Sequence, residues 1–126
     1  MQNDDPQISK PLNPVEVEDI IFNISNRIAK GVSIVSKRED TYMAAKRAYD
    51  RAVAAAVLEA DGTVLEKKAK VELAVVEERD AMDLAYSAWK FADRQARALS
   101  LQLDAVRSIG ASIRNMYQVA GRGEGA

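Results

Sequence analysis

Apolar residues recur along this chain in one seven-residue frame that is broken once and then resumed. In the first half, Ile21, Ile28, Val35, Tyr42, Tyr49 and Ala56 repeat at heptad spacing, with Val17, Ile24, Gly31, Ala45 and Ala52 in the second slot. In the second half, Met82, Ala85, Trp89, Ala92, Ala96, Leu99, Leu103, Val106, Gly110, Ile113, Tyr117 and Ala120 keep alternating spacings of three and four. This period puts side chains on one stripe only in a helix, and such a stripe is hidden by a partner helix. The pattern predicts an all-α fold: a long antiparallel helical hairpin, coiled-coil-like, with a short helix at its tip.

Punctuation sets the boundaries. Residues 1–13 carry Pro6 and Pro11 without periodicity and read as a flexible tail. Asn13 is a good N-cap, and Pro14 at the first helical position loses nothing by lacking an N–H. A first helix is expected from Pro14 to about Ala60. Asp61-Gly62-Thr63 breaks it, and Thr63-Val64-Leu65-Glu66 has the form of a capping box that opens a short helix to about Leu73. A change of direction is expected at residues 74–77, followed by a last helix to about Ala120. Residues 121–126, Gly-Arg-Gly-Glu-Gly-Ala, read as a second flexible tail, which leaves 14–120 as a single helical domain.

Folding the long helices back to back suggests a register in which Gly31 lies opposite Gly110, Tyr42 opposite Leu99 and Ala52 opposite Trp89. Large residues then face small ones. One hairpin hides only one stripe per helix. Ile20, Ile34, Met43, Ala44 and Val53 widen the apolar face of the first arm, and Tyr86, Leu101, Ile109 and Met116 that of the last. Uncovered apolar surface of this extent marks association, so a homodimer or higher helical-bundle oligomer is expected.

Composition narrows the chemistry. The 126 residues include no Cys and no His. Disulfides, the usual zinc sites, cysteine nucleophiles and histidine acid–base catalysis therefore drop out. No enzyme activity, metal or cofactor is expected. No apolar run approaches the ~20 residues that cross a bilayer. The polar, acidic start is unlike a secretory signal, so a location in the cytoplasm and no membrane partner are expected.

Net charge is −1, but its distribution is uneven. Residues 21–58 hold seven bases against three acids, and residues 84–126 hold six against three. The intervening residues 59–83 hold eight acids against four bases. Two basic arms thus flank an acidic middle. On the arms, Lys90, Arg94 and Arg97 share a helix face, Arg107 and Arg114 lie one heptad apart, and Arg47 and Arg51 lie one turn apart. Arginine faces of this kind track a phosphate backbone, although the same pattern also serves as the solvated flank of a coiled coil. These seven residues are the candidate nucleic-acid contacts.

The acids Glu77, Glu78, Asp80 and Asp83 cluster where the last helix starts, which favours the positive end of its dipole. They are not arranged as a dimetal site, which draws Glu from several helices together with His. As an acidic tip they are instead the candidate surface for a host protein. Trp89 and the stripe tyrosines are assigned to the core, whereas Phe22 and Phe91 fall off the stripe and are free to meet a partner.

Two stretches carry a resemblance. Residues 52–73, AVAAAVLEADGTVLEKKAKVEL, and residues 96–116, ARALSLQLDAVRSIGASIRNM, resemble a group of small helical proteins of tailed bacteriophages and prophages. Members are often encoded beside single-strand annealing recombinases. The likeness spans about residues 45–120 and brings no catalytic residues with it. It implies a non-enzymatic accessory protein of DNA recombination or replication in a bacterial cytoplasm, binding single-stranded DNA, a recombinase or both. The alternatives are an inhibitor that docks on a host or defence protein through the apolar flank and acidic tip, and a virion assembly or scaffold factor.

Overall fold

The computed structural model describes residues 12–125, with side chains described for 12–121. The expected tail before residue 12 lies outside the described residues. Three helices follow one another: α1 (Pro14–Glu59), α2 (Val64–Ala74) and α3 (Val76–Gly125). No strand occurs among the described residues, and the fold is all-α.

Each helix start has a chemical cause. At α1, the Glu16 N–H donates to Asn13 Oδ1 (2.9 Å), and Asn13 Nδ2 donates back to Glu16 Oε1 (3.0 Å). The Val17 N–H closes the first turn on the Asn13 carbonyl at 3.1 Å. The Glu16 N–H, one of the donors that a helix start leaves unpaired, is thereby satisfied. At α2, Thr63 is the N-cap, and its Oγ1 accepts from the Glu66 N–H at 3.2 Å. Lys70 Nζ donates to the Asp61 carbonyl (2.8 Å), one of the acceptors left after α1 ends.

Gly62 makes the turn possible with φ at +117°. An added Cβ there would lie 2.5 Å from Glu66 Oε2. Gly62→Ala is therefore expected to lower stability by about 1–2 kcal/mol, from backbone strain together with displacement of Glu66. A chemical-denaturation midpoint checks this; an unchanged midpoint would mean that the turn relaxes at no cost.

The expected change of direction falls on Val75. It leaves the helical region (φ −112°, ψ 16°) and is only 1% exposed. Its carbonyl accepts from the Arg79 N–H at 2.9 Å, which begins α3. The far end differs from expectation, because α3 runs to Gly125 and not to about Ala120. Each glycine costs an α-helix about 1 kcal/mol but does not forbid it, so the Gly-Arg-Gly-Glu-Gly sequence is no stop signal by itself.

The residues fall into two compact units. The first is Lys30–Ala96, which holds the end of α1, all of α2 and the start of α3. Here α1 and α3 run antiparallel. Gly31 lies by Ala96, Arg38 Nη1 donates to the Ala88 carbonyl at 3.2 Å, and the Tyr42 ring stacks on Trp89 with centroids 5.4 Å apart. Val75, Ala85 and Ala92 are its buried residues. The second unit joins residues 12–29, with the start of α1, to residues 97–125 of α3. Val17 (1% exposed), Ile24, Leu103 and Gly110 are its buried residues.

This arrangement corrects the expected register. Gly31 meets Ala96, fourteen residues before Gly110, and Tyr42 meets Trp89 in place of Leu99. In the second unit Gly110 packs on Val17. A heptad pattern is unchanged by sliding through whole heptads, so the stripe alone does not choose among such registers. The turn chooses: reversal centred on Gly62 and Thr63 makes α2 the first stretch of the returning arm. Val71 and Val75 then line one groove with Tyr49, Val53 and Val57 of α1.

A second correction concerns the end of the stripe. Tyr117 and Ala120 were expected inside, yet every residue of 114–121 is exposed, Tyr117 at 57%. Val17 already faces Gly110, and α1 begins only three residues before it, so α3 beyond Ile113 has outrun its partner.

Candidate nucleic-acid and partner interfaces

In the Lys30–Ala96 unit the stripe is interrupted by a charge. Arg38 occupies the heptad slot between Gly31 and Ala45 and is half-buried. Its bond to the Ala88 carbonyl keeps the guanidinium satisfied at the helix contact. Beside it sits an aromatic trio. Trp89 stacks on Tyr42 at an interplanar angle of 24° and meets Tyr86 edge-on, 6.0 Å between centroids; Tyr42 and Tyr86 are 5.3 Å apart. Lys90 Nζ lies 4.1 Å from the Trp89 ring centroid and 5.6 Å from that of Tyr86. The negative faces of the rings attract the ammonium and hold this cation against the unit.

The other candidate bases of this unit stand in solvent. Arg47 and Arg51 are exposed on α1 and Arg94 is exposed on α3. Next to Arg47, Lys46 pairs with Asp50 at 3.2 Å on an exposed face, where such a pair adds little stability. Glu77, Asp80 and Asp83 are exposed and Glu78 is half-buried. Arg79, half-buried, lies between them in sequence, so the acidic tip is not of one sign.

Near that tip is an open apolar groove of about 340 Å³. It is lined by Tyr49, Val53 and Val57 of α1, by Val71 and Val75, and by the charged Lys67, Lys68, Glu72 and Arg79. The sequence reading missed both the groove and Arg38. The signal available for the arginine was its place at the heptad slot between Gly31 and Ala45. The groove follows from the corrected register and was not visible without it.

In the second unit Arg97, Arg107 and Arg114 are exposed on α3. The Arg114 guanidinium lies along Gly110, 3.7 Å from where a Cβ would stand. The structure thus divides the seven candidates, four in the Lys30–Ala96 unit and three in the other. Six are exposed, and Lys90 is engaged with aromatic rings.

Among the described residues no polar or charged side chain is buried, and no cluster of three or more metal-ligating side chains occurs. No described helix is long and apolar enough to cross a membrane. Among the described residues, twenty large apolar side chains are exposed, including Phe22, Leu84, Phe91, Leu101 and Met116. The chain matches no protein-family model, and it has no detectable similarity to a curated protein or to a solved structure.

Proposed function

We propose that this chain is a non-enzymatic accessory protein of phage DNA recombination or replication, working as a helical homo-oligomer. Its exposed arginines would contact single-stranded DNA, a recombinase, or the two together. The observation that carries the reading is the separation of roles on the helices: apart from Arg38 the stripe is uncharged, while Arg47, Arg51, Arg94, Arg107 and Arg114 are exposed, available to phosphate oxygens. The resemblance of residues 52–73 and 96–116 to phage proteins encoded beside annealing recombinases supplies the biological setting. The exposed large apolar side chains support self-association.

Titration of a fluorescent single-stranded oligonucleotide with the purified chain tests this. Binding is expected to weaken as salt rises, with a log–log slope of about −0.7 per phosphate contact. The double variant Arg107→Glu/Arg114→Glu should bind at least about tenfold more weakly at low salt, from two lost contacts and two new repulsions. Helix content should not change, because both side chains are exposed. No binding at low salt would remove DNA from the proposal and turn the search to protein partners.

A further inference from the structure

The start of α3 carries a second apolar seam whose large side chains, Leu84 and Phe91, are exposed, while Ala88 between them is half-buried beside Arg38 of α1, which bonds its carbonyl. Trp89, Ala85 and Ala92 face α1, and the neighbouring helical positions Leu84, Ala88 and Phe91 repeat the same spacing of four and three one step around the helix. Leu84 is 73% exposed and Phe91 50%. A helix with two such seams is built to lie between two other helices. All of these residues belong to the Lys30–Ala96 unit.

We propose that this seam is the site of self-association, and that the occupant is the same segment of a second copy, packed antiparallel about a twofold axis at Ala88. The inference rests on the reading that the chain is an oligomer, and it names the surface. Three features fit this occupant. Four residues before the axis stands Leu84 and three residues after it Phe91, so each leucine of one copy meets the phenylalanine of the other, as core layers of an antiparallel pair require. Ala88 on the axis faces its own copy and lets the backbones approach.

The charges bordering the seam are complementary under the same symmetry. Asp80 and Arg94 lie at its two ends, both exposed, and the twofold axis sets Asp80 of each copy beside Arg94 of the other. A parallel pairing would put Asp80 on Asp80 and Arg94 on Arg94, which disfavours that orientation. Dimerisation would take Arg94 away from the DNA-contacting set and leave Arg47, Arg51, Arg107 and Arg114 outside the seam.

Molar mass in solution over a range of concentrations, for the full chain and its variants, tests the proposal. The wild type is expected to be a dimer or a multiple of dimers. Leu84→Glu/Phe91→Glu should raise the dissociation constant at least about 100-fold while keeping helix content, because both side chains are exposed within a copy. Asp80→Arg and Arg94→Asp should each weaken association about tenfold, and the two together should restore it. The chain has no cysteine, so Ala88→Cys adds a single thiol. It should give a disulfide-linked dimer on mild oxidation, whereas Ser112→Cys should not.

An oligomer that survives Leu84→Glu/Phe91→Glu, or a charge exchange that does not restore association, would overturn this surface while leaving self-association intact. A wild type that stays monomeric at high concentration would overturn both.

Discussion

Trp89→Ala should lower the stability of the Lys30–Ala96 unit by about 3 kcal/mol, the low end of the range for removing a large aromatic side chain from a packed site. The low end applies because Trp89 is half-buried. The loss has three parts: the stack on Tyr42, the edge contact with Tyr86 and the cation held by the ring, Lys90 Nζ at 4.1 Å. Aromatic pairs contribute about 0.5–1.5 kcal/mol each beyond the area they bury. Trp89→Phe keeps a ring in the same place and should cost only about 1 kcal/mol. Trp89 is the one tryptophan of the chain, so its fluorescence reports wild-type unfolding, while the variants are followed by far-ultraviolet circular dichroism. A loss below about 0.5 kcal/mol for Trp89→Ala, the size of an ordinary surface change, would show that the trio is not packed in solution.

The local signals for this fold were legible in the sequence because each is settled within a few residues. Asn13 with Glu16 and Thr63 with Glu66 act over one turn, and both caps occur as expected. The break at Val75 lies inside the expected interval, and the heptad stripe is the less exposed face from Val17 to Ala56 and from Met82 to Ile113. Register was not legible. It depends on contacts such as Tyr42 with Trp89, between residues far apart in the chain, and the repeat is blind to a two-heptad slide. The exposure of Tyr117 was hidden for a related reason. A stripe continues in sequence whether or not its partner helix is long enough to cover it.

The candidate arginines were legible only as a pattern of charge. Their spacing placed them on helix exteriors, and all six arginines are exposed, while the seventh candidate, Lys90, is half-buried. Spacing set Arg38 in the stripe, seven residues after Gly31, but did not show that it would bond the Ala88 carbonyl, nor that Lys90 would lie on Trp89. The Lys90 contact is local to α3, where Lys90 adjoins Trp89 and stands one turn after Tyr86, whereas the Ala88 carbonyl is brought to Arg38 by the corrected register. The same limitation applies to Asp80 and Arg94. Each reads as ordinary surface charge until Leu84 and Phe91 are recognised as a second seam.

The two helix-contact glycines provide the sharpest test of register, because they should respond in opposite directions. At Gly31, a Cβ would lie 4.0 Å from Ala96 Cβ, an ordinary contact. Gly31→Ala should therefore gain up to about 1 kcal/mol from helix propensity. At Gly110, a Cβ would lie 2.9 Å from Cγ1 of Val17, and Val17 is only 1% exposed. A β-branched side chain in a helix has essentially one rotamer, so Val17 cannot swing aside. Gly110→Leu should cost about 2 kcal/mol or more through overpacking. Truncating the obstacle with Val17→Ala should recover part of that loss, a coupling that a double-mutant cycle measures directly. In the alternative register, with Gly31 against Gly110, both substitutions would crowd the same backbone contact and both would destabilise. Loss of stability in Gly31→Ala, or absence of coupling between positions 17 and 110, would return the choice of register to that alternative.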